Sequence, residues 1–145
     1  MFFGTFNHAI DAKGRTSLPA RFREALAAAG EPRIVLMQYP HWPSVLALPQ
    51  SVWNELVKKV MESSPLDARM QRNVLKFVSS AHEVDLDVHG RVLVPPPLRS
   101  WARLSKDVVW VGMGRVIHLF DKATHEEQTS ADIPADQVVD LFSRL

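Results

Sequence analysis

Apolar and polar positions along the chain follow two periods, and the order in which the periods succeed one another predicts the elements. Phe3, Thr5, Phe6 and Ile10 mark a first strand over Phe3 to Ile10, and Thr16-Ser17-Leu18 a short second one. From Pro19 to Ala29 the period lengthens: Phe22, Ala25, Leu26 and Ala29 share one helical face, and Gly30 ends the run. Arg33 to Met37 and Ser44 to Leu48 are continuous apolar strands around the turn Tyr39-Pro40-His41-Trp42-Pro43. Gln50 to Glu62 is the clearest helix, with Val52, Trp53, Leu56, Val57, Val60 and Met61 on one stripe. Ser64-Pro65-Leu66-Asp67 has the form of a helix start, with Ser64 as N-cap and Pro65 at the first helical position. Leu66, Met70, Val74, Phe77 and Val78 are expected to be buried there, while Arg69, Arg72 and Lys76 form a basic stripe that reads as a solvated face. The four tryptophans and Phe77 are expected in the core.

The pattern then starts again. Ala81 to Leu86 is a strand, Val92-Leu93-Val94 another, and Pro95 opens a helix through Leu98, Trp101 and Leu104, which the run Pro95-Pro96-Pro97 shortens. Asp107 to Met113 and Val116 to Phe120 are strands, Asp121 to Ser130 is polar and weakly helical, and Pro134 to Leu145 is amphipathic through Val138, Leu141, Phe142 and Leu145. That last piece needs a surface to pack on, such as a neighbouring subunit. A shift of 76 positions sets Asp11 on Asp87, Gly14 on Gly90, Arg15 on Arg91, Pro19 on Pro95 and Arg23 on Arg99. Each half reads strand, loop, strand, helix, strand, strand, helix. The expected fold class is α+β, a pseudo-two-fold β-barrel of two interleaved repeats, residues 1–76 and 77–145, because neither half has strand enough for a stable sheet alone.

The repeated segment is Asp-x-x-Gly-Arg-x-x-x-Pro, at Asp11 to Pro19 and again at Asp87 to Pro95. Gly14 and Gly90 suit a turn with positive φ. Asp11 and Asp87 can accept from amides of the same turn. Arg15 and Arg91 carry planar donor forks suited to carboxylates, phosphates or guanine edges. Alternatively, each Asp pairs with its own Arg and only braces the loop.

Composition narrows the classes. With 46% apolar residues the chain can build a core, and with no cysteine it has no disulfide or thiolate metal site. No apolar run approaches the roughly 20 residues of a membrane span, and Met1-Phe2-Phe3-Gly4 lacks the form of a signal peptide. The histidines are scattered, so no metal or other cofactor is expected, and His8, His41, His82, His118 and His125 read as packing or surface residues. The net charge of +1 conceals ten basic against six acidic residues in 1–76 and seven against ten in the remainder. One basic face is therefore compatible with nucleic acid.

The duplicated Asp-x-x-Gly-Arg with its proline, the opening Met1-Phe2-x-Gly4, Leu48-Pro49 with Trp53, and Arg69, Gln71 and Arg72 together resemble the MraZ family of bacterial transcriptional regulators over essentially the whole chain. The resemblance implies an AbrB-like swapped-hairpin fold and ring-shaped homo-oligomers. It implies binding to repeated promoter elements in double-stranded DNA upstream of the protein's own gene, which heads the division and cell-wall cluster. Lys13 and Arg15 would contact DNA with Arg91 as counterpart, and His89 stands where the first loop has Lys13. It further implies a cytoplasmic, nucleoid-associated regulator. The residues themselves show no nucleophile–base pair, metal set or phosphate-cradling glycine loop, so no catalytic residue and no small-molecule substrate is expected. Two other classes stay open: a non-DNA oligomeric scaffold, and a small barrel that binds a ligand.

Overall fold

The structure is a computed structural model that describes residues 1–31, 33–62, 67–132 and 134–145. Among the described residues are eight strands and six helices: β1 (Phe2–Ala9), β2 (Arg15–Ser17), α1 (Ala20–Ala28), β3 (Ile34–Gln38), β4 (Val45–Pro49), α2 (Gln50–Met61), α3 (Ala68–Lys76), β5 (His82–Val84), β6 (Arg91–Leu93), α4 (Pro96–Trp101), β7 (Asp107–Gly114), β8 (Ile117–Asp121), α5 (Lys122–Ser130) and α6 (Asp136–Ser143). A single 3-10 turn, Val78–Ser80, follows α3. The predicted N-cap Ser64, with Pro65 and Leu66, lies outside the described residues. Asp67 takes the capping role at α3, accepting from the amides of Arg69 (3.0 Å) and Met70 (3.2 Å). The polar stretch after Asp121 is a full helix because the Asp121 carboxylate accepts from the Ala123 amide at 3.2 Å.

All pairings are antiparallel. Six strands form one sheet in the order β1-β7-β8-β4-β3-β5, and β2 and β6 form a separate two-stranded ribbon. First-half strands therefore pair largely with second-half ones: β1 with β7, β3 with β5, β4 with β8 and β2 with β6. The two ladders at the centre fix a pseudo-two-fold axis. Thr16 faces Val92 in the ribbon, the pair a 76-residue shift equates. Leu46 faces His118 in the large sheet, the pair equated once four residues are dropped from the turn.

The expected closed barrel is not formed among the described residues. β1 and β5 remain the two edges of the large sheet. The strands that would join them, β2 and β6, are three residues long and spend their hydrogen bonds on each other. Only the isolated bridge from Ile10 to Thr16 links the end of β1 to the ribbon.

The ribbon instead acts as a lid. Its inward residue Val92, with Leu18 and Val94 just beyond, meets Ile34, Leu36, Val45, Ala47, Trp110, Ile117 and Leu119 from the sheet in the main core, and Thr16 is buried opposite Val92. Phe22 and Leu26 of α1 and Leu98 of α4 seal its ends, and Phe22 takes the rings of Phe2 and Phe6 edge-on at 5.6 and 5.2 Å. β4, and β3 from Ile34 to Met37, are apolar because both faces are covered. Met37, Leu46 and Leu48 point to the opposite side, where Val52, Trp53 and Leu56 of α2 and Phe77 pack. Of the tryptophans only Trp110 is fully buried. Trp42, Trp53 and Trp101 are half-buried, and so is Phe77, since they sit at the borders of the helical layer.

Two buried polar groups carry testable consequences. The Thr16 hydroxyl is buried with no hydrogen-bond partner among the described residues, and its symmetry mate is a valine. Thr16→Val should therefore stabilise the fold by about 1 kcal/mol, read by urea unfolding, because an unpaired buried hydroxyl is removed at constant volume. His118 is 2% exposed, within 3.0 Å of Ser44 Oγ and edge-on to Tyr39 at 4.6 Å. Burial lowers its pKa from 6.5 to about 4. Between those values the unfolded chain binds the proton and the folded chain does not, so stability falls as pH drops through that interval. His118→Gln should flatten the decline of melting temperature across it, leaving the smaller share of His8, whose pKa is lowered by burial and then by Arg23.

Candidate nucleic-acid interface

The two Asp-x-x-Gly-Arg segments fold into the same loop. In the first, Asp11 Oδ1 accepts from the amides of Lys13 (3.0 Å) and Arg15 (2.9 Å), and Oδ2 accepts from Arg15 Nε at 2.7 Å. In the second, Asp87 Oδ1 accepts from the amides of His89 (2.8 Å) and Arg91 (2.9 Å), and Oδ2 from Arg91 Nε at 2.8 Å. Main-chain bonds close each turn, from Gly14 to Asp11 and Gly90 to Asp87, both 3.0 Å. These donors account for the acidity of both carboxyls. Asp11 is held below the usual carboxylate range first by the Arg15 amide, then by the Arg15 guanidinium and the Lys13 amide. Asp87 is held down first by the Arg91 amide, then by the Arg91 guanidinium and the His89 amide. The bracing these carboxylates supply is present above their ordinary pKa and is lost as pH falls through the lowered one.

Each loop is locked to the other half. The Leu18 amide donates to Gly90 O at 3.0 Å, and the Val94 amide donates to Gly14 O at 2.8 Å. Arg23 of α1 lies over Gly90, and Arg99 of α4 lies over Gly14 and donates to Ala12 O at 3.4 Å. A Cβ at either glycine would stand within 3 Å of these arginines. Sequence reading named neither arginine as part of the site, although the repeat set Arg23 on Arg99. A paired basic residue at one offset from both loops was the available signal.

The ribbon decides which way the site faces. Side chains alternate along a strand. With Thr16 and Val92 turned into the core, Arg15, Ser17, Arg91 and Leu93 turn to the opposite, outer side. Arg15 and Arg91 thus share one face, their side chains 38% and 34% exposed. Lys13 and His89 are exposed in the flanking loops, as are Asp11 and Asp87, while Gly14 and Gly90 are buried beneath them. All eight residues singled out from sequence lie on the ribbon or its two loops. Both Asp–Arg pairs are formed, through Nε of each arginine. The bracing reading therefore holds geometrically, and it still leaves each guanidinium partly exposed. The loops differ at their tips: Ala12-Lys13 in one, Val88-His89 in the other, with Val88 almost fully exposed. Among the described residues no group of three His, Cys, Asp or Glu is placed to hold a metal, and no helix is long and apolar enough to cross a membrane.

The two loops and the ribbon thus form one paired surface on an internal two-fold, with Arg15 and Arg91 on its outer face, each held by its own aspartate, and Lys13 and His89 exposed beside them. Comparison with known proteins assigns the family. The family model described as "MraZ protein, putative antitoxin-like" matches residues 1–41 and 77–140. A transcriptional regulator MraZ of Anaeromyxobacter dehalogenans (strain 2CP-C) is 87% identical over 142 residues, covering 98% of this chain and 99% of the relative. One from Anaeromyxobacter sp. (strain Fw109-5) is 79% identical over the full length of both chains, and one from Polaromonas sp. (strain JS666) is 35% identical over 98% of this chain and 96% of its own. The chain belongs to the MraZ family.

The glycines separate the two loops in a measurable way. At Gly14, φ is +91° and a Cβ would lie 2.8 Å from the main-chain oxygen of Val94, which cannot move without breaking the cross-bond. At Gly90, φ is +76° and the nearest atoms belong to the flexible Arg23 side chain. Gly14→Ala should cost about 2 kcal/mol or more in urea unfolding, and Gly90→Ala about 1 kcal/mol.

Proposed function

We propose that this protein is a sequence-specific DNA-binding transcriptional regulator, acting as a repressor of its own operon, the division and cell-wall gene cluster, in the cytoplasm on the nucleoid. The observation that carries this reading is the outer face of the β2–β6 ribbon, where Arg15 and Arg91 stand together, related by the pseudo-two-fold axis. A two-stranded ribbon fits the major groove, and arginine forks match guanine edges there. Lys13 and His89, exposed beside the ribbon, are placed to reach the phosphates flanking such a contact. Asp11 and Asp87 hold the guanidinium groups of Arg15 and Arg91 through Nε, which limits side-chain motion before DNA arrives. Gly14 and Gly90 let the loops lie close against Arg99 and Arg23.

The exchange of strands supports reading residues 1–76 and 77–145 as two AbrB-like swapped-hairpin repeats fused in one chain. A single chain of net charge +1 offers few phosphate contacts, so useful affinity needs several copies on repeated promoter elements. A ring-shaped homo-oligomer supplies them, and linked binding of this kind adds roughly 100-fold or more. The naming of the relatives as transcriptional regulators supports the same class.

Fluorescence anisotropy with the DNA upstream of the protein's own gene tests the reading. Arg15→Ala should weaken binding about ten- to hundred-fold, the loss of one good guanine contact. Arg91→Ala should cost less, because its loop carries His89 in place of Lys13. Affinity should fall steeply with added salt. If the parent protein ignores this DNA at low salt, or if Arg15→Ala binds as tightly as the parent, the proposal is wrong. Equal losses at the two arginines would mean equivalent contacts.

A further inference from the structure

The helical layer on the far side of the sheet holds an apolar groove of about 610 Å³. Met37 and Leu46 of the sheet form its floor, Leu56 and Val60 of α2 one wall, and Met70 and Val74 of α3 the other. Elsewhere in the chain, α6 presents Val138, Val139, Leu141 and Phe142, each more than half exposed. The pseudo-symmetry relates these two features. α2 and α3 follow β4, α5 and α6 follow β8, and β4 and β8 face one another at the axis. α3 therefore has α2 beside it as an apolar wall. α6 has only α5, whose sequence Lys122-Ala-Thr-His-Glu-Glu-Gln-Thr-Ser130 offers no apolar stripe. The second repeat has kept the amphipathic helix without the groove.

We infer that α6 of one copy docks in the α2–α3 groove of the next copy. Charge complements shape in this contact. Residues 50–76 carry five basic and three acidic side chains, and 122–145 carry two basic and five acidic ones. On α3, exposed Arg69 stands one helical turn before Asn73, which lines the groove. On α6, Asp136 and Asp140 precede and follow the valine pair. Groove and helix are different surfaces of one chain, so the contact is head-to-tail. Such contacts propagate from copy to copy and give rings when the rotation closes. This inference rests on the reading that the protein works as an assembly, and it names the surfaces that build it.

The test measures mass in solution by light scattering, without DNA. The parent should run as a multimer, and Phe142→Asp as a single chain with unchanged circular dichroism, since Phe142 is exposed and supports nothing in the body. Val74→Asp, which blocks the groove, should also be a single chain. An equimolar mixture of the two variants retains one intact contact and should form a dimer and nothing larger. Arg69→Glu, at an exposed position, should weaken the assembly without unfolding it. A multimeric parent whose Phe142→Asp variant keeps the parent mass overturns the docking and leaves the assembly reading standing. A monomeric parent overturns both. If Phe142→Asp then lowers the melting temperature, α6 folds into its own groove. If it does not, the groove serves a different protein.

Discussion

Two main-chain hydrogen bonds hold the candidate interface together: Leu18 to Gly90 and Val94 to Gly14. Each joins the strand leaving one loop to the glycine of the other loop. Neither loop can therefore take its shape alone, and neither repeat can supply a finished site. The positive φ of both glycines and the arginines lying over them are consequences of this exchange, since the crossing strand must pass close to the loop backbone. The buried Thr16–Val92 pair follows as well, because the ribbon has to turn one face into the core. The opposite face then carries Arg15 and Arg91 outward together.

The same symmetry is broken at the loop tips, at the sheet edges and in the helices that follow the repeats. His89 replaces Lys13 and exposed Val88 replaces Ala12, which leaves the second loop less basic near neutral pH. β1 makes a long ladder with β7, whereas β5 pairs with β3 over three residues only. α5 lacks the apolar stripe of α2. These departures divide the labour between the repeats: the first carries the more basic loop and the groove, the second the unpartnered helix.

Much of this was legible in the chain. The spacing from Asp11 to Pro19, repeated at Asp87 to Pro95, located both loops, because a tight turn with an Asx acceptor and a glycine has a short-range sequence cause, and the eight residues named from it lie on those loops or on the ribbon. The order of elements was legible because strand and helix periods differ. Arg23 and Arg99 were missed as part of the site, since their role depends on contact with a loop far away in sequence. The start of α3 was placed at Ser64, whereas Asp67 caps the described helix. Both residues are good caps, and local preference does not choose between them.

The sequence by itself determined the repeat, the loop geometry, the strands and the amphipathic helices, which are governed by contacts among near neighbours. Only the tertiary structure decided that the sheet stays open, that β2 and β6 pair with each other, and that Arg15 and Arg91 emerge on one face. Those outcomes depend on which distant strand satisfies a given row of backbone donors and acceptors. A period of alternating side chains says that a row exists and is silent about its partner.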